Sequence, residues 1–224
     1  MATFNVDWAA RQINIGATAY HDRLLHRRVL FIPSNGLPPI ECAFNAENFM
    51  HLCGVSYTGN ITKETFFRKA MQATLVPSRL QPTRGKLTIF KLKVLRELCF
   101  VDCNATAAVI DPVSHQGTFA DLFCANARST MGFKRLANGL YVPKTALDFY
   151  PPKEEPGYRN IIAIVKTEPD SIEYTIVSKE PKTKNKTTAK HDAIIRSLMK
   201  YGSSGVCVGV DCWSGLLAIG VRGV

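Results

Sequence analysis

Apolar residues near the start of the chain recur every three or four positions, which is the period of an α-helix. The first such stretch covers residues 7–28, with Asp7 as its predicted N-cap. Its apolar positions are Trp8, Ile13, Ala17, Tyr20 and Leu24. Extended segments over 29–32 and 40–44 follow, and the turn residues between them predict a β-hairpin.

Three further helices are predicted before the middle of the chain. The first covers residues 45–53, with Asn45 as its N-cap and Gly54 as the residue that ends it. Thr62 caps the second. The third follows from the apolar positions Leu87, Phe90, Val94 and Leu98.

After residue 104 the pattern changes to short apolar runs bounded by turn residues, which is typical of β-strands. The predicted strands cover 105–110, 118–124, 130–136, 140–142, 161–166 and 172–177. His115-Gln116-Gly117 and Asn138-Gly139 are turn signals, and the Asn-Gly pair is a strong hairpin signal. Helices followed by antiparallel strands predict an α+β fold, with N-terminal helices packed on an antiparallel β-sheet.

The end of the chain differs from the α+β domain, which we assign to residues 1–179. Residues 180–190 (EPKTKNKTTAK) are basic and poor in apolar residues, which predicts a linker. Residues 191–224 are predicted to form a helix and an apolar, Gly-rich β tail. Oligomerisation through this tail is one expectation.

The formal net charge is +10, from 28 Lys and Arg residues against 18 Asp and Glu residues. A surplus of that size favours phosphate-rich or other anionic partners. Because no lipidation signal or long basic amphipathic helix supports a membrane, a nucleic acid is the expected partner. The alternative is a basic surface that serves solubility alone.

The remaining composition predicts the compartment. No apolar run approaches the roughly 18 residues that span a bilayer, and the first residues lack the features of a signal peptide. The seven cysteines are odd in number and irregularly spaced, which favours a reducing compartment. We therefore expect a cytoplasmic protein without a membrane partner.

Known catalytic motifs are missing from the sequence, which has no P-loop, no GxSxG and no HExxH. Its acidic residues are scattered, so we expect no metal and no cofactor. His, Lys, Arg, Thr and Tyr residues remain, and these suffice for metal-independent cleavage of RNA. A base takes the proton of the ribose 2′-hydroxyl, cations stabilise the phosphorane, and an acid protonates the departing 5′-oxygen.

His51 is the first candidate for this chemistry. It follows Glu47 by four residues on a predicted helix, so the carboxylate is expected to raise the pKa of the imidazole. The alternative is a packed histidine bonded to a backbone carbonyl.

The hairpin over residues 132–145 is the second candidate, because cations, a tyrosine and a hydroxyl surround one turn. Its candidate catalytic residues are Lys134, Arg135, Tyr141, Lys144 and Thr145. An ordinary solvated β-face is the alternative. Further nucleic-acid contacts are predicted at Lys91, Lys93, Arg96, Lys184 and Lys186.

Residues 44–54 (FNAENFMHLCG) resemble the F…ENFxHLTG signature of phage-associated nuclease-like domains in the Barnase, EndoU, colicin and RelE superfamily. Residues 119–123, 132–134 and 141–147 resemble that family's sheet segments in the same order. The resemblance covers roughly residues 7–179. It implies a compact sheet flanked by N-terminal helices, RNA cleavage, and the cytoplasm of a bacterial host cell.

Together these observations predict a metal-independent endoribonuclease-like protein of phage or mobile-element origin. His51 would act as acid or base, the basic hairpin residues would bind the phosphate, and Tyr141 or Thr145 would position it. RNA is the expected partner, with DNA or a host ribonucleoprotein as alternatives. A second hypothesis is a nonenzymatic inhibitor or regulator that binds nucleic acid or a ribonucleoprotein with the same fold. A third is a protein-binding module that dimerises through its tail.

Overall fold

A computed structural model describes residues 4–34, 36–112, 114 and 117–180. Residues 181–190 of the predicted linker, the predicted C-terminal helix and the apolar tail lie outside the described residues, as do His115, Gln116, Lys184 and Lys186. The helices within the described ranges are α1 (Val6–Arg23), α2 (Ala46–Cys53), α3 (Lys63–Met71), α4 (Lys86–Leu98) and α5 (Val101–Asn104). None of these helices is long and apolar enough to cross a membrane.

Ten strands accompany the helices in the described part of the chain. They are β1 (Arg28–Pro33), β2 (Ile40–Ala43), β3 (Val55–Tyr57), β4 (Leu80–Pro82), β5 (Ala107–Ile110), β6 (Leu122–Ala125), β7 (Thr130–Arg135), β8 (Tyr141–Leu147), β9 (Tyr158–Thr167) and β10 (Tyr174–Lys179). The sequence pattern does not predict β3, β4 or α5, because each is too short to show a period.

Eight strands form one sheet in the order β1-β2-β8-β7-β6-β5-β9-β10. β1 also pairs with β9, so the pairing order closes into a ring and leaves β10 outside it. The β2–β8 pairing is parallel and joins Cys42 to Tyr141, whereas the other pairings of the described strands are antiparallel. The predicted α+β class with a largely antiparallel sheet is confirmed.

Helix α1 starts and ends earlier than its apolar spacing predicts. Asn5 rather than Asp7 is the N-cap, and its side-chain oxygen accepts a hydrogen bond of 2.8 Å from the Trp8 amide. Both residue types cap helices well, so the local sequence does not decide between them. The helix ends at Arg23, and His26 then adopts a left-handed conformation (φ 57°) that turns the chain into β1.

Helix α4 is confirmed, but Phe90 does not lie on its buried face and is 41% exposed. The buried residues are Thr88, Leu92, Val94, Leu95 and Leu98. Helix α1 approaches α4 closely at Gly16, where an added Cβ would stand 2.5 Å from Leu95 Cδ2. This close packing turns the Leu95 side of α4 inward, so Phe90 faces solvent.

The Asn138-Gly139 turn joins β7 to β8 as the sequence predicts. Gly139 has a φ of +87°, and Asn138 Oδ1 accepts a hydrogen bond of 3.2 Å from the Leu140 amide. Strand β8 continues to Leu147, well past the predicted residues 140–142. Pro143 hides this continuation in the sequence, because proline is unusual inside a strand.

Buried aromatic rings hold α2 against the sheet. Tyr20 of α1 packs edge-on against Phe49 of α2 with ring centroids 5.4 Å apart, and Phe49 packs against Phe67 of α3 at 5.2 Å. Phe44, just before α2, packs against Phe133 of β7 at 6.0 Å. Large buried rings contribute strongly to core stability, so the position of α2 relative to the sheet is well determined.

Candidate active site

A cleft of about 290 Å³ opens where the end of α2, the start of α4 and strand β8 meet. This volume is at the lower end of the ~300–1,000 Å³ typical of ligand sites. The cleft is lined by Met50, His51, Gly54, Val55, Thr83, Arg84, Lys91, Gly117, Thr118, Phe119, Lys144 and Thr145. These residues include basic and hydroxyl side chains and no carboxylate, so the lining favours an anionic ligand.

Gly54 ends α2 in the left-handed conformation (φ 65°) and connects it to α4. Its carbonyl accepts hydrogen bonds from Thr83 Oγ1 at 2.7 Å, from the Thr83 amide at 3.1 Å and from Thr88 Oγ1 at 2.8 Å. An added Cβ at Gly54 would stand 2.7 Å from Lys91 Cδ. Position 54 therefore needs glycine both for its backbone angle and for the passage of a lysine side chain.

Lys91 lies one turn after Thr88 on α4, and its side chain passes Gly54 into the cleft. There its Nζ donates a hydrogen bond of 2.7 Å to Thr145 Oγ1 on β8. Thr145 is 3% exposed and packs closely over Gly132 of β7, where an added Cβ would stand 2.6 Å from Thr145 Cγ2. The lysine is thus held at a defined position between helix and sheet.

Burial, and to a smaller extent the positive charge of Arg84, lowers the pKa of Lys91 from 10.5 to about 8. The ammonium group is still mainly protonated at neutral pH, but it loses its proton far more readily than an exposed lysine does. Arg84 is kept beside the cleft by a hydrogen bond of 3.3 Å from its Nη1 to the Gly117 carbonyl. Lys91 is therefore suited to donate a proton near neutral pH.

His51 lies on the last turn of α2, and its Nε2 is 3.0 Å from Lys63 Nζ. Because an ammonium group only donates, a neutral His51 accepts at Nε2 and carries its hydrogen on Nδ1. Partial burial and the charges of Lys63 and Lys91 lower the pKa of His51, and they outweigh the opposite effect of Glu47. The imidazole is therefore mainly neutral at pH 7.

The structure bears on two sequence-based expectations for His51. The carboxylate of Glu47 does act to raise the pKa of His51, but the net shift is downward. The alternative of a packed histidine bonded to a backbone carbonyl is wrong, because His51 is only partly buried and its Nε2 lies against Lys63.

A β-bulge brings two consecutive residues of β8 to the cleft. Gly132 pairs with Thr145, but its neighbour Phe133 pairs with Pro143, so Lys144 is the extra residue on β8. In a regular strand Lys144 and Thr145 would point to opposite faces of the sheet. With the bulge, both line the cleft.

Three of the predicted catalytic residues, Lys134, Arg135 and Tyr141, lie nearer the turn of the hairpin and do not line the cleft. The two basic side chains are exposed, and the Arg135 amide donates a hydrogen bond of 2.7 Å to Asp121 Oδ2. Burial raises the pKa of Tyr141, so its hydroxyl stays protonated. The structure brings the other three, His51, Lys144 and Thr145, together.

Of the three nucleic-acid contacts predicted on α4, one lines the cleft and two do not. Lys91 lines the cleft, whereas Lys93 and Arg96 are exposed and do not. Lys93 Nζ lies 5.8 Å from the centre of the Phe90 ring, and the Arg96 guanidinium lies 5.8 Å from that of Phe100. These two cations therefore contact aromatic rings along the helix surface.

The sequence does not single out four residues at the cleft or its edge, namely Lys63, Thr83, Arg84 and Phe119. The basic run Arg84-Gly85-Lys86, directly before a predicted helix, is a signal that could have indicated the arginine. The others come from separate segments that only the tertiary fold brings together. Within the described ranges, no group of three or more His, Cys, Asp or Glu residues is placed to hold a metal ion.

Comparison with known families gives one match. The family described as phage-Barnase-EndoU-ColicinE5/D-RelE like nuclease4 matches residues 12–194, a range that includes α2, α4 and β8. Searches of curated proteins and of solved structures give no match. The resemblance read from the sequence is confirmed at the level of the family. Because the match covers most of its length, the chain belongs to the phage-Barnase-EndoU-ColicinE5/D-RelE like nuclease4 family and is nuclease-like.

Proposed function

We propose that the protein is a metal-independent endoribonuclease in which the ribose 2′-hydroxyl attacks the adjacent phosphate. The observation that carries this proposal is that His51 and Lys91 line the same cationic cleft. His51 has a lowered pKa and is neutral at pH 7, whereas Lys91 has a pKa of about 8 and is protonated. A neutral base and a protonated acid are what this reaction requires.

His51 takes the proton of the 2′-hydroxyl while the O2′–P bond forms. The P–O5′ bond breaks, and Lys91 gives its proton to the departing 5′-oxygen. The products are a 2′,3′-cyclic phosphate and a 5′-hydroxyl. RNA supplies its own nucleophile, so the chain needs to contribute only proton transfer and charge.

Fixed cations and a hydroxyl complete the proposed site. Arg84 and Lys144 line the cleft and would stabilise the negative charge that develops on the phosphorane. Thr145 accepts the hydrogen bond from Lys91, which orients the acid and leaves the hydroxyl proton for a phosphate oxygen. Phosphate binding by Lys134 and Arg135 and phosphate positioning by Tyr141 stay predictions, since these residues do not line the cleft.

Lys63 affects the base directly, because its ammonium occupies the Nε2 lone pair of His51 in the free protein. A bound phosphodiester competes for that ammonium. We infer that Lys63 shifts to the substrate as it binds, which frees Nε2 to accept the 2′-hydroxyl proton.

Cleavage of a labelled RNA in EDTA tests this proposal. We expect a cyclic phosphate product, no cleavage where a 2′-deoxynucleotide replaces the reacting one, and a loss of about 100-fold or more in His51→Ala. His21→Ala is the matched control, since His21 is an exposed histidine on α1. Full activity in His51→Ala, or activity only with an added divalent cation, would contradict the proposal.

A second candidate function is a nonenzymatic binder of nucleic acid. The contact of Lys63 with the only free lone pair of neutral His51 favours it, because a base in that state cannot accept a proton. Binding of RNA that weakens with salt, without any product in the wild type, would support this candidate over the enzyme.

A further inference from the structure

Phe119 is an exposed aromatic side chain at the edge of the cationic cleft. It is 69% exposed, the highest value among the large hydrophobic residues that the structure describes as exposed. It lines the cleft together with Gly117 and Thr118. Its burial by a ligand with an apolar face would be favourable, and its place at the edge of a cationic cleft makes it accessible to such a ligand.

The backbone on both sides of Phe119 is anchored although the ring is exposed. Before it, the Gly117 carbonyl accepts the hydrogen bond from Arg84 Nη1 at 3.3 Å. After it, Ala120 is buried, and the Asp121 amide donates a hydrogen bond of 2.8 Å to the Phe133 carbonyl of β7. The backbone that carries the ring is therefore tied both to a cation of the cleft and to the sheet.

A second exposed ring flanks the same cations. Phe90 of α4 is 41% exposed and lines a small neighbouring depression. That depression shares Arg84, Lys91 and Thr118 with the cleft. Aromatic rings that alternate with cations along one surface are typical of sites for single-stranded nucleic acids, where rings stack on bases and cations hold phosphates.

We propose that Phe119 stacks on an unpaired base of the nucleotide next to the phosphate in the cleft, so that the substrate is single-stranded at this position. The proposal rests on the proposed function, because it takes the cleft to hold a phosphodiester. In a duplex each base face is covered by its neighbours and is closed to a protein ring.

Stacking is measured without cleavage by a short 2′-O-methyl RNA strand that carries 2-aminopurine, since this strand has no free 2′-hydroxyl. We expect the wild type to quench the fluorescence and Phe119→Ala to weaken binding by about five- to 100-fold. Phe119→Trp should restore affinity. Ile172→Ala, which removes another exposed hydrophobic side chain, should bind as the wild type does.

Two comparisons decide between stacking and a merely structural role. Replacing the base by an abasic site should weaken binding to the wild type, which loses the stacking contact. It should not weaken binding to Phe119→Ala, because that variant has no ring on which the base could stack. Annealing a complementary strand should reduce wild-type binding to about the level of Phe119→Ala. Equal binding of single strand and duplex, or equal binding by wild type and Phe119→Ala, would overturn the proposal.

If RNA is cleaved in EDTA and Phe119→Ala cleaves single-stranded and duplex RNA as the wild type does, stacking is wrong and the ribonuclease proposal stands. If the 2-aminopurine strand is quenched through Phe119 but no RNA is cleaved, the stacking stands and the enzyme proposal is wrong.

Discussion

Replacing Lys91 by methionine should stabilise the fold while it removes the proposed acid. The fall of the Lys91 pKa from 10.5 to about 8 corresponds to about 3 kcal/mol of unfavourable free energy for keeping the charged lysine in the folded protein at neutral pH. Methionine has a similar length and no charge. It also removes the hydrogen bond to Thr145, which costs about 1 kcal/mol. We therefore expect a net gain of about 1–2 kcal/mol at pH 7.

The pH dependence identifies the cause of this gain. The unfolded chain binds the Lys91 proton up to about pH 10.5 and the folded chain only up to about pH 8, so the wild type gains stability as the pH rises between these values. The advantage of Lys91→Met in urea unfolding should therefore shrink from pH 7 to pH 10. Lys153→Met, at an exposed lysine, is the control and should show almost no change. A difference between Lys91→Met and the wild type that stays constant with pH would refute the reasoning.

Three further predictions concern the same cleft. The kcat/KM for RNA should follow a bell-shaped pH profile, which rises as His51 loses its proton below pH 6.5 and falls as Lys91 loses its own near pH 8; activity that still rises at pH 9 would exclude these roles. Lys63→Gln removes a positive charge beside the imidazole, so the pKa of His51 should rise in an NMR titration and the acid limb should move to higher pH. Gly54→Ala should lower the free energy of unfolding by about 1–3 kcal/mol, because position 54 has a left-handed backbone. The loss should exceed that of Gly36→Ala, because position 36 has a similar φ but open space where the Cβ would stand. Equal losses in urea unfolding would show that crowding of Lys91 adds nothing.

The parts of the fold that the sequence predicts well depend on interactions between near neighbours. Helix α2 runs between Asn45 and Gly54 as its capping residues indicate. The β7–β8 turn forms at Asn138-Gly139 for the same kind of local reason. Capping and turn formation involve residues a few positions apart, so a single sequence contains the information they require.

The exposed position of Phe90 shows that helical spacing alone does not determine which apolar residues of a helix are buried. Its spacing relative to Leu87 and Val94 indicates the apolar face of a helix, yet the close packing of Gly16 against Leu95 turns α4 and leaves the ring in solvent. Helical spacing defines a stripe of apolar residues, but the neighbouring helix decides which side of the stripe is covered.

In the candidate site, too, the sequence indicates the residue types, whereas the tertiary structure sets their contacts. His51, Lys144, Thr145 and Lys91 can be selected from the sequence by residue type. His51 comes from the segment 44–54, and Lys144 and Thr145 come from the hairpin over residues 132–145. Their meeting depends on a β-bulge that turns Lys144 and Thr145 to one side, and alternation along a strand predicts the reverse. The local pattern predicts the effect of Glu47 on the His51 pKa but not the net shift, because burial and the charges of Lys63 and Lys91 from other helices outweigh that effect.

The sequence by itself determined the fold class, the capped helix α2, the β7–β8 hairpin and the basic character of the nuclease-like domain, since periodicity, capping and net charge are local or additive properties. Only the tertiary structure decided which cations share a cleft, how Lys91 is buried against Thr145 and which phenyl ring lies at the edge of that cleft. Burial and long-range charge set the pKa values of His51 and Lys91, and both depend on segments far apart in the chain.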